Sequence, residues 1–121
     1  MRYACLVYFD PQNVLNGSPE AEAALGEGYR YLNELKESGH LVANESLQLP
    51  SETVSIRVRD GKMSATDGPF METKEVLGGF IMIEARDLNE AVRLAGAIPL
   101  ARLGTVEVRP VVDFSKPRPK L

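Results

Sequence analysis

The sequence has no tryptophan, one cysteine and one histidine. The single cysteine, Cys5, excludes an intramolecular disulfide. It lies inside the apolar run Tyr3-Ala4-Cys5-Leu6-Val7-Tyr8-Phe9, where a buried thiol is expected rather than a nucleophile. The single histidine, His40, follows Gly39 and has no second histidine or cysteine at metal-ligand spacing. It reads as a loop or helix-end residue, and neither a metal nor a cofactor is expected. G-x-G-x-x-G, G-K-[ST] and the nucleophile elbow are all missing, so dinucleotide, P-loop and serine-hydrolase chemistry lack their motifs. No apolar run approaches membrane-spanning length, and no cleavage pattern follows Met1-Arg2. A soluble cytoplasmic protein with no membrane partner is the expectation. Cations are in deficit, 14 Lys and Arg against 17 Asp and Glu, which gives a net charge of −3. Such a molecule does not attract polyanions as a whole, so nucleic acid is not an expected partner. Its C-terminal end is locally basic, but Phe114 is the only aromatic there and a solvated tail is expected.

A chain of 121 residues, 44% hydrophobic and 26% charged, has the size and composition of one globular domain. Strand-like and helix-like runs alternate along it. Arg2 to Phe9 reads as a strand, ended by Asp10-Pro11. Ser18-Pro19-Glu20 starts a helix, with Ser18 as N-cap. Ala21, Leu25, Gly28, Leu32 and Leu35 form its apolar stripe, and Gly39 closes it. Leu41 to Leu49 is extended and stops at Pro50. Val54 to Arg59 alternates apolar and polar residues, Asp60-Gly61 turns the chain, and Lys62 to Thr66 returns as the partner strand. Gly79 to Glu84 is apolar on both faces, which fits a central strand. Asp87-Leu88-Asn89-Glu90 resembles a capping box, followed by a stripe of Leu88, Ala91, Val92 and Ala95. Thr105 to Val112 is a last strand containing Pro110.

This β-α-β, hairpin, β-α-β order predicts an α+β ferredoxin-like sandwich with an inserted β-hairpin, residues 1–113, followed by a mobile tail, 114–121. Two helices cover one sheet face only. Tyr8, Phe80 or Ile81, and Val106 or Val108 are candidates for the other. A second copy of the chain is the expected cover, which makes a homodimer the predicted partner.

Between the hairpin and the central strand lies Asp67-Gly68-Pro69-Phe70-Met71-Glu72-Thr73-Lys74-Glu75-Val76-Leu77-Gly78-Gly79-Phe80. Gly68-Pro69 excludes regular helix or central strand there. Loops on rigid scaffolds concentrate binding groups, and four ionisable residues crowd into this one. Asp67 is either a general acid or base, its pKa raised near Phe70, or the cap of an Asx-turn. Lys74 is either an anion ligand or base, or a solvated charge. Glu75 points away from Lys74 if the chain is extended, leaving one of them to pair with Asp67 or Glu45. Glu45 is a site member if it faces inward, where a carboxylate needs a partner. Tyr8, at the end of the first strand, is the tyrosine placed nearest a ligand. The candidate catalytic residues are therefore Asp67, Lys74 and Glu75, and the candidate substrate-binding residues are Tyr8, Glu45 and Phe70. Gly78-Gly79 is read as a sharp entry into the strand.

The same segment resembles the DGPF-domain members of the YciI-related family, through Asp67-Gly68-Pro69-Phe70, Glu72-Thr73-Lys74-Glu75 and Leu77-Gly78-Gly79-Phe80. Supporting matches are Glu45-Ser46-Leu47 with Pro50, Val58 to Lys62, Asp87 to Ala91, and Val106 to Pro110. The resemblance implies a ferredoxin-like subunit and a dimeric α/β barrel. YciI-type relatives carry a His-Asp pair in a cleft at the sheet. This chain departs there, because His40 is its only histidine and the first helix offers no equivalent. A label linked to transcription initiation, carried by some members, finds no support in the charge of −3. The expected function is a metal-free small-molecule enzyme or binder with its site at the sheet face. The alternative is a non-catalytic regulatory or interaction module whose loop serves dimer architecture.

Overall fold

The computed structural model describes all residues, Met1–Leu121. The elements in chain order are β1 (Arg2–Phe9), α1 (Pro11–Val14), α2 (Pro19–Glu37), β2 (Leu41–Ser46), β3 (Val54–Arg59), β4 (Lys62–Asp67), β5 (Val76–Glu84), α3 (Leu88–Gly96) and β6 (Gly104–Pro110). Short 3-10 turns, Pro50–Glu52 and Pro99–Arg102, precede β3 and β6. Four strands form one sheet in the order β2-β5-β1-β6, with every neighbouring pair antiparallel. That is the ferredoxin-like arrangement. The sheet does not close on itself, and β2 and β6 are its edges. β3 and β4 form a separate two-stranded sheet, inserted between β2 and β5.

Local chemistry sets the helix limits. The Ser18 hydroxyl accepts the Ala21 N–H at 3.2 Å, and Pro19 opens α2. At its end the His40 N–H reaches the Leu35 carbonyl and the Gly39 N–H reaches that of Lys36, with Gly39 at φ +80. This is a Schellman closure, which needs the left-handed glycine. Asp10 does more than end β1: its carboxylate accepts the Gln12 N–H at 3.0 Å and caps the one-turn α1. In α3, Asp87 accepts the Glu90 N–H at 2.9 Å, and Glu90 reaches back to the Arg86 N–H at 3.0 Å. The expected capping box is thus formed one residue further out.

The core lies between the helices and one sheet face. Tyr3, Cys5, Ile81 and Ile83 from the sheet meet Leu35, Ala91, Leu94, Ala95 and Ile98. Burial pushes the Cys5 thiol up to about 11, so it stays neutral and unreactive at ordinary pH. Tyr31 crosses from α2 to donate its hydroxyl to the Leu94 carbonyl at 2.6 Å, and desolvation raises its pKa.

Several sequence expectations change here. β2 ends at Ser46, not Leu49, because the Leu47 N–H bonds the Gly78 carbonyl and the chain then leaves the sheet. α3 is rotated from the expected stripe: it buries Glu90, Ala91, Leu94 and Ala95, and leaves Leu88 and Val92 about half exposed. Ile81, Val106 and Val108 face the helices rather than the open side, since they share the face of Cys5 and Val7. Residues 111–121 are exposed and contain a turn in which Asp113 accepts from Ser115.

Candidate functional site

Register fixes what the uncovered sheet face carries. Side chains alternate across a strand, so residues paired in register share a face. One row across the sheet is Glu45, Phe80, Leu6 and Glu107. The next rows are Ala43, Met82, Ala4 and Arg109 on one side, and Leu77, Tyr8 and Thr105 on the other. The face therefore has an apolar centre of Leu6, Tyr8, Phe80 and Met82 with charged residues around it. Glu75 joins it: its carboxylate accepts the Thr105 hydroxyl at 2.8 Å. Around the rim, Glu107 pairs with Arg109 at 2.7 Å and Glu84 with the N-terminal amine at 2.9 Å.

Of the six expected site residues, Tyr8, Glu45 and Glu75 are on this open face but spread across it, with Glu45 on edge strand β2 and Glu75 bonded to Thr105 of the opposite edge strand β6. Asp67, Phe70 and Lys74 do not join them. Asp67 is the last residue of β4, opposite Val54, and is exposed. The predicted Asx-turn does not form, because no hydrogen bond reaches its carboxylate. The turn is clamped instead through Gly68, whose N–H donates to the Thr53 carbonyl at 2.7 Å and whose carbonyl accepts the Ser55 hydroxyl at 2.7 Å. Lys74 is exposed and makes no ion pair, and Phe70 is 73% exposed. His40 sits at the end of α2, its Nδ1 2.8 Å from the Glu84 carbonyl. No three His, Cys, Asp or Glu side chains converge on a point that could hold a metal ion.

Two clefts flank the segment Leu47-Gln48-Leu49, which lines both. The inner cleft, about 390 Å³, opens between α2 and the covered side of the sheet. Leu25, Gly28 and Leu32 of α2 form one wall; Phe9, Gly79 and Ile81 belong to the sheet side. These three positions of the expected apolar stripe are only half-buried, and Leu32 also packs against the core. Two glycines at its sheet side are packed too closely to carry a side chain. A Cβ on Gly79 would stand 2.6 Å from the Glu45 carbonyl oxygen, and one on Gly78 would meet the ring of Phe9. Asn44 pairs with Ile81 in register and so faces this cleft. Its carboxamide makes no hydrogen bond within the chain. Sequence reading missed Asn44; the one signal was a polar residue amid the second strand, which reads equally well as outward-facing.

The outer cleft, about 740 Å³, lies between the 47–53 segment, the inserted hairpin and the loop after it. Arg57 and Arg59 line it, together with Phe70 and Met71.

Fold and site together define a single ferredoxin-like α+β domain with an uncovered sheet face, an apolar cleft beneath its first long helix and an inserted hairpin. The YCII-related domain model matches residues 1–115, and the chain belongs to that family. A relative from Rhizobium meliloti (strain 1021), described as an uncharacterized protein, is 32% identical over 117 residues, covering 94% of each chain. No helix is long and apolar enough to cross a membrane.

Proposed function

We propose that this YCII-related protein binds a small, mainly apolar molecule in the inner cleft, and that it works as a homodimer joined through the open sheet faces. One observation carries the binding reading: the unpaired Asn44 carboxamide faces a cleft of about 390 Å³ walled by Leu25, Leu32 and Phe9. Ligand sites are concave, mostly apolar and carry a few polar groups that fix orientation, and they start at about 300 Å³. The carboxamide offers both a donor and an acceptor, which suits a neutral ligand with a carbonyl or hydroxyl at one end. Asp67, Lys74 and Glu75 do not line this cleft, so the geometry supports binding ahead of proton-transfer or hydrolytic chemistry by those groups.

Gly28→Leu tests the reading. Nothing lies within 4 Å of a Cβ at Gly28, and a leucine there fills the cleft while improving helix propensity by about 1 kcal/mol. Titration with acetophenone and 2-naphthol, followed by amide NMR shifts, is expected to perturb Asn44 and Gly79 in the natural chain and neither in the variant. Unchanged shifts in the natural chain, or equal shifts in both, would remove the cleft from consideration.

The interaction-module reading keeps one observation of its own. Leu6, Tyr8, Phe80 and Met82 form an apolar centre that nothing in the chain covers, and an apolar sheet face of this kind suits a second copy packed sheet on sheet.

A further inference from the structure

The inserted hairpin is two-faced. Register places Ser55 with Thr66, Arg57 with Ser64 and Arg59 with Lys62 on one side. Val54 with Asp67, Ile56 with Ala65 and Val58 with Met63 occupy the other. The first face thus holds only cations and hydroxyls, on a chain whose net charge is −3. None of the molecule's ion pairs takes Arg57, Arg59 or Lys62. The Arg59 guanidinium reaches only the carbonyl of its neighbour Val58, at 3.0 Å. Two guanidiniums therefore stand without carboxylate partners beside the outer cleft, where Glu52 is the only acidic residue.

Arg57 and Arg59 are two positions apart on one strand face, so their side chains leave the backbone about 6.6 Å apart. Long forked side chains from that spacing can close on one tetrahedral oxyanion, each giving two parallel N–H···O bonds. Phe70 and Met71, 73% and 59% exposed, give the same cleft an apolar wall. Large exposed apolar side chains next to unpaired arginines mark a place for a ligand with both characters.

We propose that the outer cleft binds a small phosphate monoester with an apolar body, its dianionic head held by Arg57 and Arg59 and its body laid against Phe70 and Met71. This site is separate from the inner cleft, and neither reading depends on the other.

Calorimetric titration with phenyl phosphate, inorganic phosphate and benzyl alcohol tests it on the full chain. Phenyl phosphate is expected to bind, inorganic phosphate to compete with it more weakly, and benzyl alcohol to give no heat. Arg57→Gln with Arg59→Gln should weaken phenyl phosphate by about tenfold or more, since charge-assisted pairs dominate such contacts. Phe70→Ala should weaken phenyl phosphate and leave inorganic phosphate unchanged. All three positions are exposed, and melting curves of the variants should match the natural chain. Gly28→Leu, which fills the inner cleft, should bind phenyl phosphate normally. Absent binding, or equal affinity in the double arginine variant, overturns the proposal. So does a short single-stranded oligonucleotide that displaces phenyl phosphate at lower concentration, because the face would then serve a polyanion.

Discussion

The Glu75 carboxylate accepts the Thr105 hydroxyl at 2.8 Å across the end of β1, with Tyr8 in register beside Thr105. The bond ties the end of the loop after the hairpin to the edge strand β6. Glu75→Gln keeps an acceptor there and should leave the urea midpoint in place. Glu75→Ala removes the bond and leaves an exposed hydroxyl that water can satisfy, and should cost about 0.5–1 kcal/mol. Equal midpoints for both variants would mean the bond contributes nothing to the fold.

The two sheet faces should respond differently to the same substitution. Leu6→Asp puts a charge on the uncovered face, where it should split the proposed homodimer with little loss of helical signal. Val108→Asp puts a charge against the core, on which Val108 packs in register with Cys5. It should unfold the subunit, at a cost of about 3 kcal/mol or more. Sedimentation velocity and circular dichroism on both variants separate the outcomes. A natural chain that sediments as a folded monomer would end the dimer reading.

Gly68 and Asp67 are neighbours with different roles. Gly68 holds φ +95 and is clamped at both its N–H and its carbonyl. A side chain there is strained, and Gly68→Ala should cost about 1–2 kcal/mol. Asp67 accepts no hydrogen bond, so Asp67→Asn should change stability by about 0.5 kcal/mol or less. Chemical denaturation measures both.

Glu90 is 7% exposed, and the Arg86 backbone N–H holds its carboxyl below the usual carboxylate range, helped by the charges of Arg86, His40 and Arg93. A depressed folded-state value means that its stabilisation is present above the unfolded value, about 4.3. That stabilisation is lost as pH falls through the lower folded value. Stability should therefore decline below about pH 4.3. Glu90→Gln should be less stable at neutral pH and flatter through the acid range. Parallel acid slopes for both chains would contradict this coupling.

Element order was legible because its punctuation is local. Ser18-Pro19, Gly39, Asp60-Gly61 and Asp87 with Glu90 each act within a few residues, and each is found in that role. Facing was harder to read. A strand apolar on both sides gives no parity, so Ile81 and Phe80 could not be separated by pattern. The nine-residue α3 carries apolar residues on more than one side, and the side it buries is the one that packs Ala91, Leu94 and Ala95 into the core. The stripe through Leu25, Gly28 and Leu32 has the right period for a core. Only the distance between helix and sheet shows that it lines a cleft. In the loop, charge density along the sequence did not become proximity in space. Glu75 reaches Thr105, while Asp67 and Lys74 point to water.

The chain leaves the main sheet after the bond from the Leu47 N–H to the Gly78 carbonyl, 2.9 Å, and rejoins it at Val76, opposite Phe9 of β1. Residues 48 to 75 are thus an excursion, held at its far end by the Glu75 bond to Thr105. Changes confined to residues 48 to 74 leave every strand pairing of the main sheet in place. Joining its two ends by a tight turn would leave an uninterrupted hairpin of β2 and β5. Sequence variation can accordingly accumulate in the excursion at little cost to folding. The same anchor point makes it the natural place to graft a foreign hairpin onto this scaffold.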